Sequence, residues 1–127
     1  MIGTSRSVRV WARPQPTDLR KGYNGLFALV RDELAQDPLS GDMFLFVNRR
    51  RTGCKVLLWD GTGLCIFMKR LEEGRFAALW RDGEDAEVVR LTSTELALFV
   101  EGCNLVGRHA LSPSEVGPRP LVQDPAA

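Results

Sequence analysis

Polar and apolar residues alternate over Ser7-Val8-Arg9-Val10-Trp11, the period of a half-buried strand. Arg13-Pro14-Gln15-Pro16-Thr17-Asp18 then breaks regular structure, because proline lacks a backbone donor and turns the preceding residue away from helix. Leu26, Phe27, Val30 and Leu34 recur at helical spacing, with Ala28 and Leu29 widening the stripe. They predict a helix over 22–35, capped by Thr17 or Asp18. After a turn cluster at 38–42, three apolar runs follow at 43–47, 55–59 and 64–68. The connection 48–54 and the Asp60-Gly61-Thr62-Gly63 turn are short, and short turns force antiparallel pairing, so the three runs read as a meander. Shorter strand candidates lie at 78–80 and 87–91, on either side of a turn at 82–85. Thr92-Ser93-Thr94-Glu95 has the form of a capping box, opening a second helix with Leu96, Phe99 and Val100 inward and Gly102 past its end.

The three long runs are almost continuously apolar, where a sheet with one wet face would alternate. Both faces therefore require cover. The 22–35 helix suits one face, and the other calls for the second helix, a barrel-like closure or a partner, a second copy included. The expected architecture is a single α+β domain over 7–108, an antiparallel meander sheet of about five strands with two principal helices. Residues 1–6 read as a flexible N-terminus, and 109–127, with Pro113, Pro118, Pro120 and Pro125, as a disordered tail.

At 127 residues with 44% apolar and 26% charged residues, the chain has the size and composition of one ordinary globular domain. No apolar signal-peptide core follows Met1, and no run approaches the roughly 20 residues of a membrane helix, so no membrane association is expected and a cytoplasmic location is. Cys54, Cys65 and Cys103 are odd in number and show no C-x-x-C spacing, which fits buried small hydrophobes rather than a disulfide framework or zinc site. His109 is the only histidine and has no ligating neighbour in sequence. No catalytic residue, metal or cofactor is expected.

The net charge of +1 says little, but its distribution is uneven. Residues 1–31 hold Arg6, Arg9, Arg13, Arg20, Lys21 and Arg31 against Asp18 alone. Arg49-Arg50-Arg51, with Lys55 close behind, tops a hairpin; guanidinium forks there match phosphate oxygens, or else serve as a solvated tip that discourages edge pairing. Lys69, Arg70 and Arg75 extend that surface if folding brings them near. Arg20 and Lys21 stand at a helix N-terminus, which favours anions; the structural alternative is a cap by Asp18 with Arg20 pairing locally. Asp18, Asp60, Glu72 and Glu73 invite a metal-nuclease reading, which needs convergent carboxylates, although Asp60 sits in a turn where aspartate is common for structural reasons. Trp11, Trp59 and Trp80 are candidates for stacking on bases or, with apolar neighbours, for the core.

Asp18-Leu19-Arg20-Lys21-Gly22-Tyr23-Asn24-Gly25-Leu26 resembles a D-x-R-K-G-x-x-G-L family motif. Further motifs of the same family follow in order: Ser40-Gly41-Asp42-Met43-Phe44-Leu45-Phe46 with Arg49-Arg50-Arg51, Lys55-Val56-Leu57-Leu58-Trp59-Asp60-Gly61-Thr62-Gly63, Lys69-Arg70-Leu71-Glu72 with Gly74-Arg75-Phe76, and Leu91-Thr92 with Glu101-Gly102. The chain is similar, from about residue 8 to 108, to the TnpB accessory protein encoded by the second open reading frame of sixty-six-type insertion sequences. That resemblance implies an accessory factor for DNA transposition, encoded beside a separate transposase, and supplies no catalytic residues. The expected partners are the element's transposase and DNA. A protein–protein adaptor without DNA affinity is the alternative.

Overall fold

The computed structural model describes residues 7–80 and 87–102. In chain order they form β1 (Val10–Ala12), α1 (Tyr23–Asp32), β2 (Met43–Val47), β3 (Gly53–Trp59), β4 (Leu64–Arg70), β5 (Val89–Leu91) and α2 (Ser93–Val100). The expected α+β domain is present, with one five-stranded sheet in the order β4-β3-β2-β1-β5. The turn at 82–85, Cys103, His109 and the proline-rich tail lie outside the described residues.

The strands β2, β3 and β4 make the antiparallel meander that their short turns require, with Leu45 opposite Val56 and Val56 opposite Phe67. The sheet as a whole is mixed, which corrects the purely antiparallel expectation. β1 runs parallel to β2, Val10 beside Met43. Parallel neighbours need a long crossover, and the segment holding α1 provides it. β5 then pairs antiparallel with β1, so a three-residue strand sits inside the sheet.

Alternation along each strand sends side chains to two cores. Val10, Ala12, Leu45, Val47, Cys54, Val56 and Leu91 face one, closed by Phe76, Ala77, Leu79 and Phe99. Phe44, Phe46 and Leu57 face the other, closed by Leu26, Val30 and Leu34. The apolar runs of β2 and β3 are continuous because the chain itself covers both faces there, whereas Phe67 and Met68 of β4 stay exposed. Residues 78–80, expected as a strand, pair with nothing in the sheet. Burial of Phe76, Ala77 and Leu79 holds that segment across the face instead.

The capping box of α2 forms as its sequence requires. The Glu95 N–H donates to Thr92 Oγ1 at 3.0 Å, and the Thr92 N–H donates to Glu95 Oε1 at 2.8 Å. Gly102 follows at φ +91°, the left-handed conformation of a helix stop. The start of α1 differs from expectation. Gly22 is the N-cap and makes no side-chain cap bond. Thr17 Oγ1 instead accepts from Arg13, and Asp18 closes on Arg20.

Beyond the end of α1, Ala35 stands at φ +55° and the Gln36 N–H donates back to Val30 O at 3.0 Å. A left-handed L-residue costs about 1–2 kcal/mol, part of which glycine recovers against its greater unfolded-state entropy. Ala35→Gly is expected to raise stability by about 0.5–1 kcal/mol. A higher urea midpoint at unchanged m-value is the sign to look for, and a lower midpoint would refute the strain.

Asp42 joins the start of β2 to β1. Its side chain is buried, Oδ1 accepting from the Arg9 N–H and Oδ2 from Trp11 Nε1, both at 3.1 Å. No helix among the described residues is long and apolar enough to cross a membrane.

Candidate nucleic-acid interface

The β2–β3 turn is built by Asn48. Its Oδ1 accepts from the backbone N–H groups of Thr52 and Gly53 at 2.9 and 3.1 Å, and its backbone carbonyl accepts from the Arg51 N–H at 3.0 Å. Asparagine suits this role because its side chain mimics a turn of backbone. Arg51 closes the turn at φ +61°. This geometry divides the three arginines. Arg49 and Arg50 are exposed at the tip. Arg51 turns inward, where its Nη1 donates to Phe76 O at 2.9 Å and its carbonyl accepts from the Phe76 N–H at 2.7 Å.

The segment that leads into α1 passes beside this turn. The Thr17 N–H donates to Val47 O at 2.8 Å, and Leu19 lies over Gly53, where an added Cβ would stand 3.2 Å from Leu19 Cδ1. An open cleft results, lined by Pro16, Asp18, Leu19 and Arg20 on one side and by Asn48, Arg49, Arg50 and Met68 on the other. Arg20 and the Arg49–Arg50 pair, distant in sequence, thus meet at one end of the sheet.

Lys55 and Lys21 adjoin residues of the cleft in strand and in sequence but do not line it. The Lys55 Nζ donates to Lys21 O at 2.9 Å, tying β3 to the entry of α1. Lys55 is also the cross-strand partner of Met68. Strand alternation puts Lys55, Met68 and Arg70 on the side of the sheet that α1 covers. The remaining candidates point elsewhere. Lys69 faces the opposite side, its Nζ donating to Val100 O at 2.7 Å, where a cation complements the C-terminal end of α2. Arg75 is exposed but does not line the cleft.

Carboxylates moderate part of this charge. Asp18 grips Arg20 through both oxygens, at 2.7 Å to Nη2 and 3.0 Å to Nε. The side-chain hydrogen bonds from Arg20 hold the Asp18 carboxyl well below the usual carboxylate range. Arg70 lies 3.5 Å from Glu72. Both pairs are exposed, and exposed pairs contribute little to stability. Among the described residues, Lys21, Arg49 and Arg50 have no carboxylate within ion-pair distance.

The carboxylates singled out in the sequence do not converge. Asp60 stands at the far end of the seven-residue strand β3 from the cleft, roughly 20 Å away at about 3.3 Å per residue. It organises its own turn, accepting from the Thr62 N–H, the Thr62 hydroxyl and the Gly63 N–H at 2.9 to 3.0 Å. Those hydrogen bonds, from the backbone of Thr62 and Gly63 first, hold its pKa down at about 2. Among the described residues, no group of three His, Cys, Asp or Glu side chains is placed to hold a metal ion.

Other candidates are absorbed by packing. Trp11 gives its Nε1 to Asp42 and is covered by the Arg90 guanidinium, 4.9 Å from the ring centroid. Trp80 packs on the core closed by Phe99. Burial pushes the Cys54 thiol up to about 11, and burial together with the Asp60 carboxylate raises that of Cys65. Asn48, Leu19 and Met68 were not anticipated as cleft residues. The Asn48-Arg49-Arg50-Arg51-Thr52-Gly53 string carries a readable turn signal for the first, whereas the other two depend on long-range packing.

The family model described as IS66 Orf2 like protein matches residues 8–110. The chain belongs to the IS66 Orf2 like family and is an accessory protein of an insertion sequence. Its relatives include two proteins of Sinorhizobium fredii. The uncharacterized protein y4jC is 45% identical over 102 residues, covering 80% of this chain and 85% of that protein. The uncharacterized protein y4hO is 34% identical over 102 residues, covering 80% and 86%. No solved structure matches the chain.

Proposed function

We propose that this accessory protein assists transposition by holding DNA phosphates in the cleft between residues 16–20 and 48–50, in the cytoplasm and beside the element's transposase. The observation that supports this most is the meeting of Arg20 with Arg49 and Arg50, distant in sequence, around one concavity. Arg49 and Arg50 stand there without carboxylate partners among the described residues, and Arg20 is held only by an exposed pair with Asp18.

Each phosphate neutralised releases condensed counterions, so the cleft cations Arg20, Arg49 and Arg50 give a slope of log affinity against log salt of roughly −2.7 on duplex DNA, by the relation of about −0.9 per contact. The double substitution Arg49→Ala and Arg50→Ala is expected to flatten that slope by about 1.8 while leaving thermal unfolding in place, since both side chains are exposed. Fluorescence anisotropy over a salt series measures it. An unaltered slope removes the cleft from DNA binding.

A second reading has its own observation. The edge strand β4 exposes Phe67 at 50% and Met68 at 58%, without proline to block pairing. A protein partner, the transposase or a second copy, would use that edge. Co-purification with the transposase, with no DNA shift at low salt, would favour it over the first.

A further inference from the structure

We infer that the cleft takes single-stranded rather than duplex DNA, with Met68 as the apolar surface on which an unpaired base rests; this stands on the DNA-binding reading above. The cleft lining mixes two kinds of chemistry. Pro16, Leu19 and Met68 supply apolar surface, while Arg20, Arg49 and Arg50 supply charge around it. The outer surface of a duplex offers phosphates to those cations and no apolar face to those apolar side chains. A single strand offers both, because its bases are unstacked beside its phosphates.

Met68 is the informative residue. It lines the cleft yet is 58% exposed, so burial within the fold gives little reason for an apolar side chain there. An edge strand is ordinarily protected at such a position by a charge. Its surroundings are cationic: Lys55 is its cross-strand partner, and Arg70 is the next residue on the same face. A flexible, polarizable thioether makes favourable contact with aromatic rings. The planar guanidinium groups of Arg49 and Arg50 stack on bases as well as bind phosphate.

The test compares a 20-nucleotide oligothymidylate with a mixed-sequence duplex of equal length, on the full chain, at fixed low salt. The oligothymidylate is expected to bind at least about 5-fold more tightly, the lower end of what one stacked base supplies. Met68→Ala is expected to weaken oligothymidylate binding by about 5-fold, leave duplex binding in place and leave the salt slope unchanged, because no charge is lost. Met68→Tyr is expected to tighten oligothymidylate binding, a gain that a purely structural role for this side chain would not produce. Equal loss on both ligands in Met68→Ala, or no loss on either, overturns the single-strand assignment while duplex binding that still depends on Arg49 and Arg50 keeps the broader reading. Absence of binding to either DNA overturns both.

Discussion

Phe99→Ala is expected to lower the unfolding free energy by about 3–5 kcal/mol. Phe99 is fully buried, and its ring stacks on Phe76 with centroids 4.9 Å apart and planes within 8°. Truncation removes the transfer free energy of the ring, leaves a cavity that a close-packed sheet cannot fill, and ends the aromatic pair. The effect is large because of where the ring sits. Phe99 is the one fully buried residue of α2, so the helix covers the sheet largely through it. A small domain has about 5–15 kcal/mol in total, so the variant would lie near the edge of folding. Urea unfolding followed by circular dichroism measures the loss. Phe99→Leu, which keeps much of the volume, is expected to lose markedly less. A loss below about 1 kcal/mol for the alanine variant would mean that α2 does not close that face.

Asp42→Ala is expected to cost about 2–3 kcal/mol, a large value for a residue that contributes no apolar surface. The substitution strips the acceptor from the Arg9 N–H and from Trp11 Nε1 together, and both donors are partly buried. A donor left without a partner in such a place bears its full desolvation penalty. Asp42→Asn keeps one acceptor oxygen and presents an amide to the other donor, so about half the loss is expected. The indole N–H resonance of Trp11 reports the contact directly. If that resonance stays in place in Asp42→Ala, the bond between β1 and the start of β2 is not the source of the change.

These two residues mark the limits of what the sequence discloses. The capping box of α2 is legible because Thr92 and Glu95 lie within one turn of chain and need nothing else. The meander of β2, β3 and β4 is legible for the same reason, its turns being short and rich in the residues that make them. The parallel pairing of β1 was missed although its signal was present: a strand, a helical stripe and a second strand in succession describe a crossover unit. Residues 78–80 have strand-like composition, yet the apolar side chains of that segment are worth more against the sheet face than in a ladder, and composition alone cannot separate those outcomes.

The basic strings were legible as chemistry but not as a surface. Arg20, Arg49 and Arg50 share a cleft because the chain before α1 folds back over Gly53, a packing event with no local signature. Arg51 and Lys69 look like their neighbours in sequence, yet each donates to a distant backbone carbonyl. Asp42 lies in a string that reads as turn and strand, and its burial follows only from the parallel pairing of β1 with β2.

The inward turn of Arg51 has a consequence for recognition. Its two bonds with Phe76 clamp the cation-bearing tip to a residue at the centre of the opposite core. A loop free to wander must lose that freedom when a ligand arrives, a loss that subtracts from affinity. Here the ordering happens once, when the domain folds, so Arg49 and Arg50 would meet the phosphates proposed for them from a preorganised backbone.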